Sequence, residues 1–296
     1  MTSHELLVIA GPTASGKTRV AIELTERIGA EIINADSQQV YRHFDIGTAK
    51  PSASELARVP HHVLSCVEPT EAFHAARFQQ LADAAIADIH ARGKRVVVVG
   101  GTGLYIRVLL HGVVAAPGTD GALRAELETF SDAELHARLA AVDPVTAQRL
   151  PVPDRVRVIR ALEIHALTGE AASAHRERHA FQADRYAFKL FVLNPAREAV
   201  YAAINARARA MFDAGLLDEV RALVAQGYRD AAPMRAVGYV QALACLDGAM
   251  TKEQAIDDVA QKTRHYAKRQ YTWFKKEAGA VYVTPPVDLA ALVGTG

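Results

Sequence analysis

Leu6-Leu7-Val8-Ile9-Ala10-Gly11-Pro12-Thr13-Ala14-Ser15-Gly16-Lys17-Thr18 decides how the rest of this sequence is read. Five apolar residues run without interruption and stop at Gly11-Pro12, the pattern of a strand buried on both faces. Gly11 to Thr18 matches G-x-x-x-x-G-K-[ST]. A helical pattern follows from Lys17 to about Ile28, with Val20, Ile22, Leu24 and Ile28 as candidate inward residues and Gly29 as its stop. Strand, glycine loop and helix are the context in which this motif cradles phosphate. Glycines let the backbone wrap closely around phosphate oxygens, so that several N–H groups point inward, and the helix N-terminus adds positive potential. Lys17 supplies a mobile cation and Thr18 a hydroxyl that can hold Mg²⁺. Gly11, Pro12, Thr13, Ala14, Ser15, Gly16, Lys17 and Thr18 are therefore candidate diphosphate-binding residues. The motif specifies a di- or triphosphate, not what becomes of it.

Outward from this loop, short strand signals recur at Glu31–Ile33, Arg95–Val99, Phe188–Leu193 and Val281–Val283, and a helix around Phe78–Ala91 leads into the second of them. Strands alternating with helices predict an α/β fold, a P-loop NTPase-like core with a mostly parallel sheet. The strand signal vanishes between about Ala116 and Tyr186. There a loop at Pro117–Gly121 precedes helical patterns at Leu123–Phe130, Asp132–Val142 and Val156–Leu167. The organisation expected is a core of residues 1–115 and 187–296 with a helical insertion domain at 116–186. The tail Arg197–Lys276 reads as helical, broken at Gly227 and Pro233.

Composition narrows the class. A chain of 296 residues that is 50% hydrophobic and 23% charged is not largely disordered, and it is long enough to bury a substantial core. Two cysteines, Cys66 and Cys245, exclude a disulfide framework and a four-thiolate metal site. The net charge of +1 hides an asymmetry: residues 1–150 hold 14 Lys/Arg against 17 Asp/Glu, the remainder 20 against 16. Such a split hints at a polyanionic partner. The start of the chain lacks a basic region and a long apolar stretch, and Val96–Ala116 is broken by Arg107, His111 and four glycines. Neither reads as a secretory signal or a membrane span, so a cytoplasmic protein is expected.

Three further stretches bear on chemistry. Val96–Val99 ends in Gly100-Gly101-Thr102-Gly103, where P-loop NTPases commonly carry the acid that serves Mg²⁺ and water activation. Its absence disfavours an ATPase or GTPase motor and favours transfer to or from a phosphorylated small molecule. Asp36 follows the second strand, and carboxyl ends of neighbouring strands share one crevice. It can hold metal through water or accept a proton, while capping a helix is the plainer role open to it or Ser37. Gln261–Lys276 holds six Lys/Arg, no acid and the only Trp, and on a helix Lys262, Tyr266, Arg269 and Trp273 share one face. That mixture suits phosphate contacts with base stacking, and equally a solvated basic face with Trp273 in the core. Arg155, Arg157 and Arg160 divide the same way, Arg235 has the bland reading of a surface arginine, and His61-His62 reads as structural.

In this order the pieces resemble the bacterial tRNA dimethylallyltransferases, also called tRNA isopentenyltransferases. Gly11–Thr18, Asp36–Tyr41, Asp45–Pro51, Pro60–Val63, Gly100–Tyr105, Arg157–Glu163, Arg235–Tyr239 and Ala267–Phe274 carry the likeness, which runs from Leu6 to about Val283. The resemblance implies transfer of a dimethylallyl group from dimethylallyl diphosphate to the exocyclic amine of the adenosine 3′ of the anticodon, with diphosphate leaving. It implies a monomer that grips the tRNA anticodon stem-loop with its helical insertion. The loop would bind the donor's diphosphate in place of ATP, and Mg²⁺ would be the cofactor, held by Thr18 in part through diphosphate and water. Asp36 would be the general base, Thr102 would orient the adenine, and Lys17 and Arg235 would complete the catalytic set. Contacts to tRNA would come from Asp36, Ser37, Gln38, Gln39, Thr102, Arg124, Val156, Arg157, Val158, Ile159, Arg160, Arg235, Lys268, Arg269, Gln270 and Trp273. Gln38 departs from the small or aliphatic residue usual there, and Val156 from a frequent Gln. A kinase using the same loop, a prenyltransferase of free adenine nucleotides and an RNA-binding phosphate sensor are the competing readings.

Overall fold

Short apolar strands, each too brief to be stable alone, are stabilised by parallel pairing into one sheet. In the computed structural model, which describes residues 4–113, 117–179 and 183–294, the strands are β1 (Leu6–Ala10), β2 (Ala30–Asn34), β3 (His61–His62), β4 (Arg95–Gly100), β5 (Phe188–Leu193) and β6 (Ala280–Val283). They stand in the order β3-β2-β4-β1-β5-β6, and every pairing is parallel. All five residues of β1 are 0% exposed, as the uninterrupted apolar run requires. Alternation sends Leu7 and Ile9 to the side covered by α1 (Lys17–Ile28), and Leu6 and Val8 to the side covered by α3 (Ala75–Ala91) and the C-terminal helices. The architecture is the α/β, P-loop NTPase-like core.

β1 is followed in sequence by β2 but pairs with β4, so β4 lies between them. The loops after all three strands therefore open on one side of the sheet. Gly100 makes this tight arrangement feasible. Ala35, just past β2, donates its N–H to Val99 O at 2.7 Å, and a Cβ built on Gly100 would lie 2.1 Å from Ala35 O. Past Gly100 the apolar stretch continues as α4 (Gly103–His111), which accounts for the hydrophobicity of that region.

Some elements escaped sequence reading. α2 (Ala53–Leu56) is a single turn, and β3 is two histidines with no apolar run of their own. β3 is an edge strand paired to β2, with His62 Nε2 2.7 Å from Glu31 Oε2. The tail comprises α10 (Arg197–Asp213), α11 (Leu216–Ala225), a 3-10 turn at Ala232–Arg235, α12 (Tyr239–Leu246), α13 (Lys252–Phe274) and α14 (Leu289–Gly294). Among the described residues no helix is long and apolar enough to cross a membrane.

Two compact units divide the chain, one of residues 1–110 with 185–296 and one of residues 111–184. The boundaries differ from the expected 116 and 186, the first of which lies outside the described residues. Arg185 and Tyr186 belong to the core because both reach Asp83 of α3, each at 2.7 Å, and Arg185 N donates to Leu110 O at 2.8 Å. The second unit is helical: α5 (Gly121–Leu127), α6 (Asp132–Val142), α7 (Pro144–Arg149), α8 (Arg155–Thr168) and α9 (Ala172–His179). Its core gathers Leu127, Leu135, Leu139, Leu150, Val158, Ile159 and Leu162. Buried Asp143 ties it together, accepting from Thr146 N and Ser173 N at 2.9 Å each.

Gly100→Ala must push the main chain at Ala35, because the obstructing atom is backbone and not a flexible side chain. The substitution is expected to cost about 1–3 kcal/mol, read as a lower urea midpoint at unchanged slope.

Candidate active site

The loop from Gly11 to Gly16 folds as its sequence demands. Gly16 takes φ +83 at the N-cap of α1, and Gly11 packs so closely that a Cβ would meet Leu193 O and Ser15 Oγ at 3.1 Å. Ala14 holds φ +60 with a side chain, a strained conformation that the loop's surroundings must enforce. Lys17 Nζ donates to Pro12 O at 3.2 Å. Burial pushes the Lys17 pKa down to about 8; Asp36 opposes the shift and Arg207 adds to it.

Asp36 faces this loop. Its Oδ1 accepts from Gln38 N at 2.8 Å and Gln39 N at 3.3 Å, closing a turn; no helix begins there for it to cap. Both bonds fall on one oxygen, and among the described residues no hydrogen bond holds Oδ2. Thr102, from the loop after β4, accepts from Ser37 N through Oγ1 at 3.0 Å, with Tyr266 of α13 nearby. Burial, followed by the charge of Asp36, pushes the Tyr266 phenol up to about 12, so it remains a donor.

Two cavities meet here. The smaller, about 70 Å³, is lined by Lys17, Thr18, Asn34 and Asp36 among others. The larger, about 320 Å³, has an apolar wall of Ile204, Ala208, Met211 and Val259, and is also lined by Ser37, Gln38 and Arg235. Thr13, Asp36, Arg207 and Tyr266 line both. A compartment lined by the P-loop thus adjoins an apolar one, with a carboxylate and a guanidinium at their junction. Thr18 and Asp36 supply few, hard oxygen donors. That donor set suits Mg²⁺, which keeps several waters and takes further ligands from substrate phosphates.

Sequence reading missed Arg207. It sits on α10, donates to Thr13 Oγ1 at 3.1 Å, and has its pKa lowered by burial against the pull of Asp36. Arg209, two residues on, looks alike in the local sequence. It missed Glu219 of α11 as well. Glu219 accepts from the backbone of Asp45, Ile46 and Gly47 at 2.8–3.3 Å and from Tyr239 Oη at 2.5 Å. A Cβ on Gly47 would lie 2.4 Å from the Tyr239 ring, so Asp45–Pro51 is a strapped loop and not a spacer. Gln39 Nε2 holds the same loop through Thr48 O and Ala49 O, at 3.1 and 3.0 Å.

Several residues expected at a tRNA surface are packed or paired within the fold. Val158 and Ile159 lie on the buried face of α8 in the helical unit's core. Arg124 and Arg160 pair with Glu163, a carboxylate 0% exposed, at 2.8 and 3.6 Å. Gln270 is 6% exposed. Trp273 packs its indole over Gly103, with the Arg107 guanidinium 4.4 Å from its ring centroid. Val156, at 77% exposure, and Arg157 stay outward, as do Arg235, Lys268 and Arg269.

The fold and its paired cavities define a P-loop protein whose phosphate cradle opens onto an apolar chamber. The chain belongs to the IPP transferase family, whose model matches residues 39–277. It is 62% identical over 293 residues to the tRNA dimethylallyltransferase of Myxococcus xanthus, covering 98% of this chain and 95% of that one. The full-length tRNA isopentenylpyrophosphate transferase of Bacillus halodurans superposes with a TM-score of 0.71 at 38% identity, covering 98% and 93%. A eukaryotic dimethylallyltransferase acting on tRNA superposes with a TM-score of 0.83 at 29% identity, covering 95% and 74%.

A bound diphosphate stabilises the Lys17 ammonium, so binding above pH 8 requires proton uptake. Affinity for inorganic diphosphate, measured by calorimetry, should therefore fall as pH rises through about 8. The fall, taken relative to Lys17→Arg, which stays charged, approaches tenfold per pH unit; parallel curves for the two proteins would contradict it.

Proposed function

We propose that this protein transfers a dimethylallyl group from dimethylallyl diphosphate to tRNA, at the exocyclic amine of the adenosine 3′ of the anticodon. The observation that carries the reading is the junction of a cationic phosphate compartment with an apolar chamber across Asp36 and Arg207. A nucleotide presents a polar sugar beyond its phosphates; a prenyl diphosphate presents five carbons, which the wall of Ile204, Ala208, Met211 and Val259 suits. The family relatives named for this activity, covered over nearly their full length, support the same reading.

In the reaction, the bond from the prenyl C1 to the bridging diphosphate oxygen breaks and a bond from the adenine amine nitrogen to C1 forms. Lys17, Arg207 and the loop's N–H groups meet the charge that develops on the leaving diphosphate, a preorganised field that needs no rearrangement. Mg²⁺, held by the Thr18 hydroxyl, would supply further charge neutralisation at the diphosphate. Asp36 Oδ2 accepts the amine proton, while Oδ1 stays anchored to the backbone. Thr102, held by Ser37 N, is suited to orient the base. The target adenosine must leave its stack, which costs a few kcal/mol. Phosphate contacts from exposed cations such as Arg157, Lys268 and Arg269 would offset that cost.

Incubation with radiolabelled dimethylallyl diphosphate and unmodified tRNA should put label in the nucleic acid. Asp36→Ala should cut single-turnover transfer by about 10²-fold or more, while tRNA affinity changes by about threefold or less. Brisk ATP hydrolysis without tRNA and no label transfer would favour the kinase-like reading.

A further inference from the structure

Among the described residues, Gln270 is the one side chain hydrogen-bonded to both loops on which the reaction depends. Its Oε1 accepts from Thr13 N, inside the phosphate loop, at 2.8 Å. Its Nε2 donates to Gly101 O, one residue before Thr102, also at 2.8 Å. The carboxamide is 6% exposed, and both its functions are used, so it has one stable orientation. Gly101 is shaped to receive it: a Cβ there would lie 2.4 Å from Gln270 Nε2. Gln270 comes from near the C-terminal end of the long helix α13, one turn after Tyr266, so a rigid element fixes the span.

We propose that Gln270 is a positioning residue for prenyl transfer, setting the distance between the loop that holds the diphosphate and the loop that carries Thr102. It lines the small cavity, but both its polar functions are taken up by the two loops. It aligns the donor carbon with the acceptor amine, where a displacement of about 1 Å can cost about 10²-fold in rate. The inference rests on the proposed prenyl transfer, and wild-type transfer of label tests that premise separately.

The test is Gln270→Met, close in size and lacking both bonds, measured in single turnover with both substrates saturating. The expected result is a transfer rate lower by about 10- to 100-fold. The dissociation constants for inorganic diphosphate and for an anticodon stem-loop should each shift by about threefold or less. Gly101→Ala, which displaces the carboxamide from the other side, should reproduce the loss. The double variant should be no slower than the worse single variant, because both break one linkage. A wild-type rate in either single variant overturns the proposal. So does a rate loss matched by an equal loss of diphosphate affinity, which would make Gln270 a support of the phosphate loop alone. Multiplicative losses in the double variant overturn it too. If Gln270→Met fails to fold, Gly101→Ala alone carries the comparison, and its own retention of the wild-type rate is decisive against.

Discussion

The close approach of Ala35 to Gly100 is the constraint on which the site depends. The phosphate loop follows β1, and the carboxylate follows β2, yet β4 stands between those strands. For Asp36 to reach Lys17, the chain leaving β2 must cross the end of β4 at van der Waals distance. A side chain at Gly100 would occupy the place of Ala35 O. The same glycine explains why no acid stands at the end of β4. A carboxylate there would need a Cβ, and that Cβ is excluded. The acid near the P-loop is delivered instead from the end of β2, and Thr102 rides on the loop after Gly100-Gly101.

Charge is arranged around that crossing with little redundancy. Lys17 and Arg207 are both depressed by burial and each feels Asp36, so the site without substrate holds two cations against one carboxylate. Such an imbalance is costly in a half-buried cleft and is relieved when a polyanion enters. The scaffold around it is correspondingly firm. Glu219 fixes three successive backbone groups of the Asp45–Pro51 loop while Tyr239 fills the space beneath Gly47. Burial and the neighbouring Glu219 hold the Tyr239 phenol far above its usual range, which keeps it a donor. Rigidity of this kind lets a modest field act on a leaving group without reorganisation.

Much of this was legible in the sequence because it is local. The strand, loop and helix of Leu6–Ile28 announce themselves by period and glycine placement, and Phe188–Leu193 by its apolar run. What was not legible is carried by partners far apart in the chain. Arg207 is one of several arginines in an alanine-rich helix, and only its meeting with Thr13, 194 positions away, distinguishes it. Gln270 sits in a basic, aromatic stretch whose local pattern does not reveal its hydrogen-bond partners, 257 and 169 positions distant. Val158 and Ile159 fell within a stretch that resembles an RNA contact, yet helical period turns them inward and leaves Val156 and Arg157 outward. β3, with two residues, carries no period at all.

The helical unit shows how a cationic surface can be built without being loose. Glu163 is wholly buried, and a lone carboxylate there would be very costly. Arg124 and Arg160 neutralise it, and Arg160 also donates to Pro117 O at 2.6 Å. These guanidiniums are engaged by the fold, and Arg157, though turned outward, pairs with Asp154. A pair of arginines anchored on one buried acid also fixes α5 against α8, so the outward residues of α8 are presented on a backbone whose orientation is set from within. Counting basic residues along the chain overstates the charge available to RNA, and pairing must be subtracted before any surface is read as an interface.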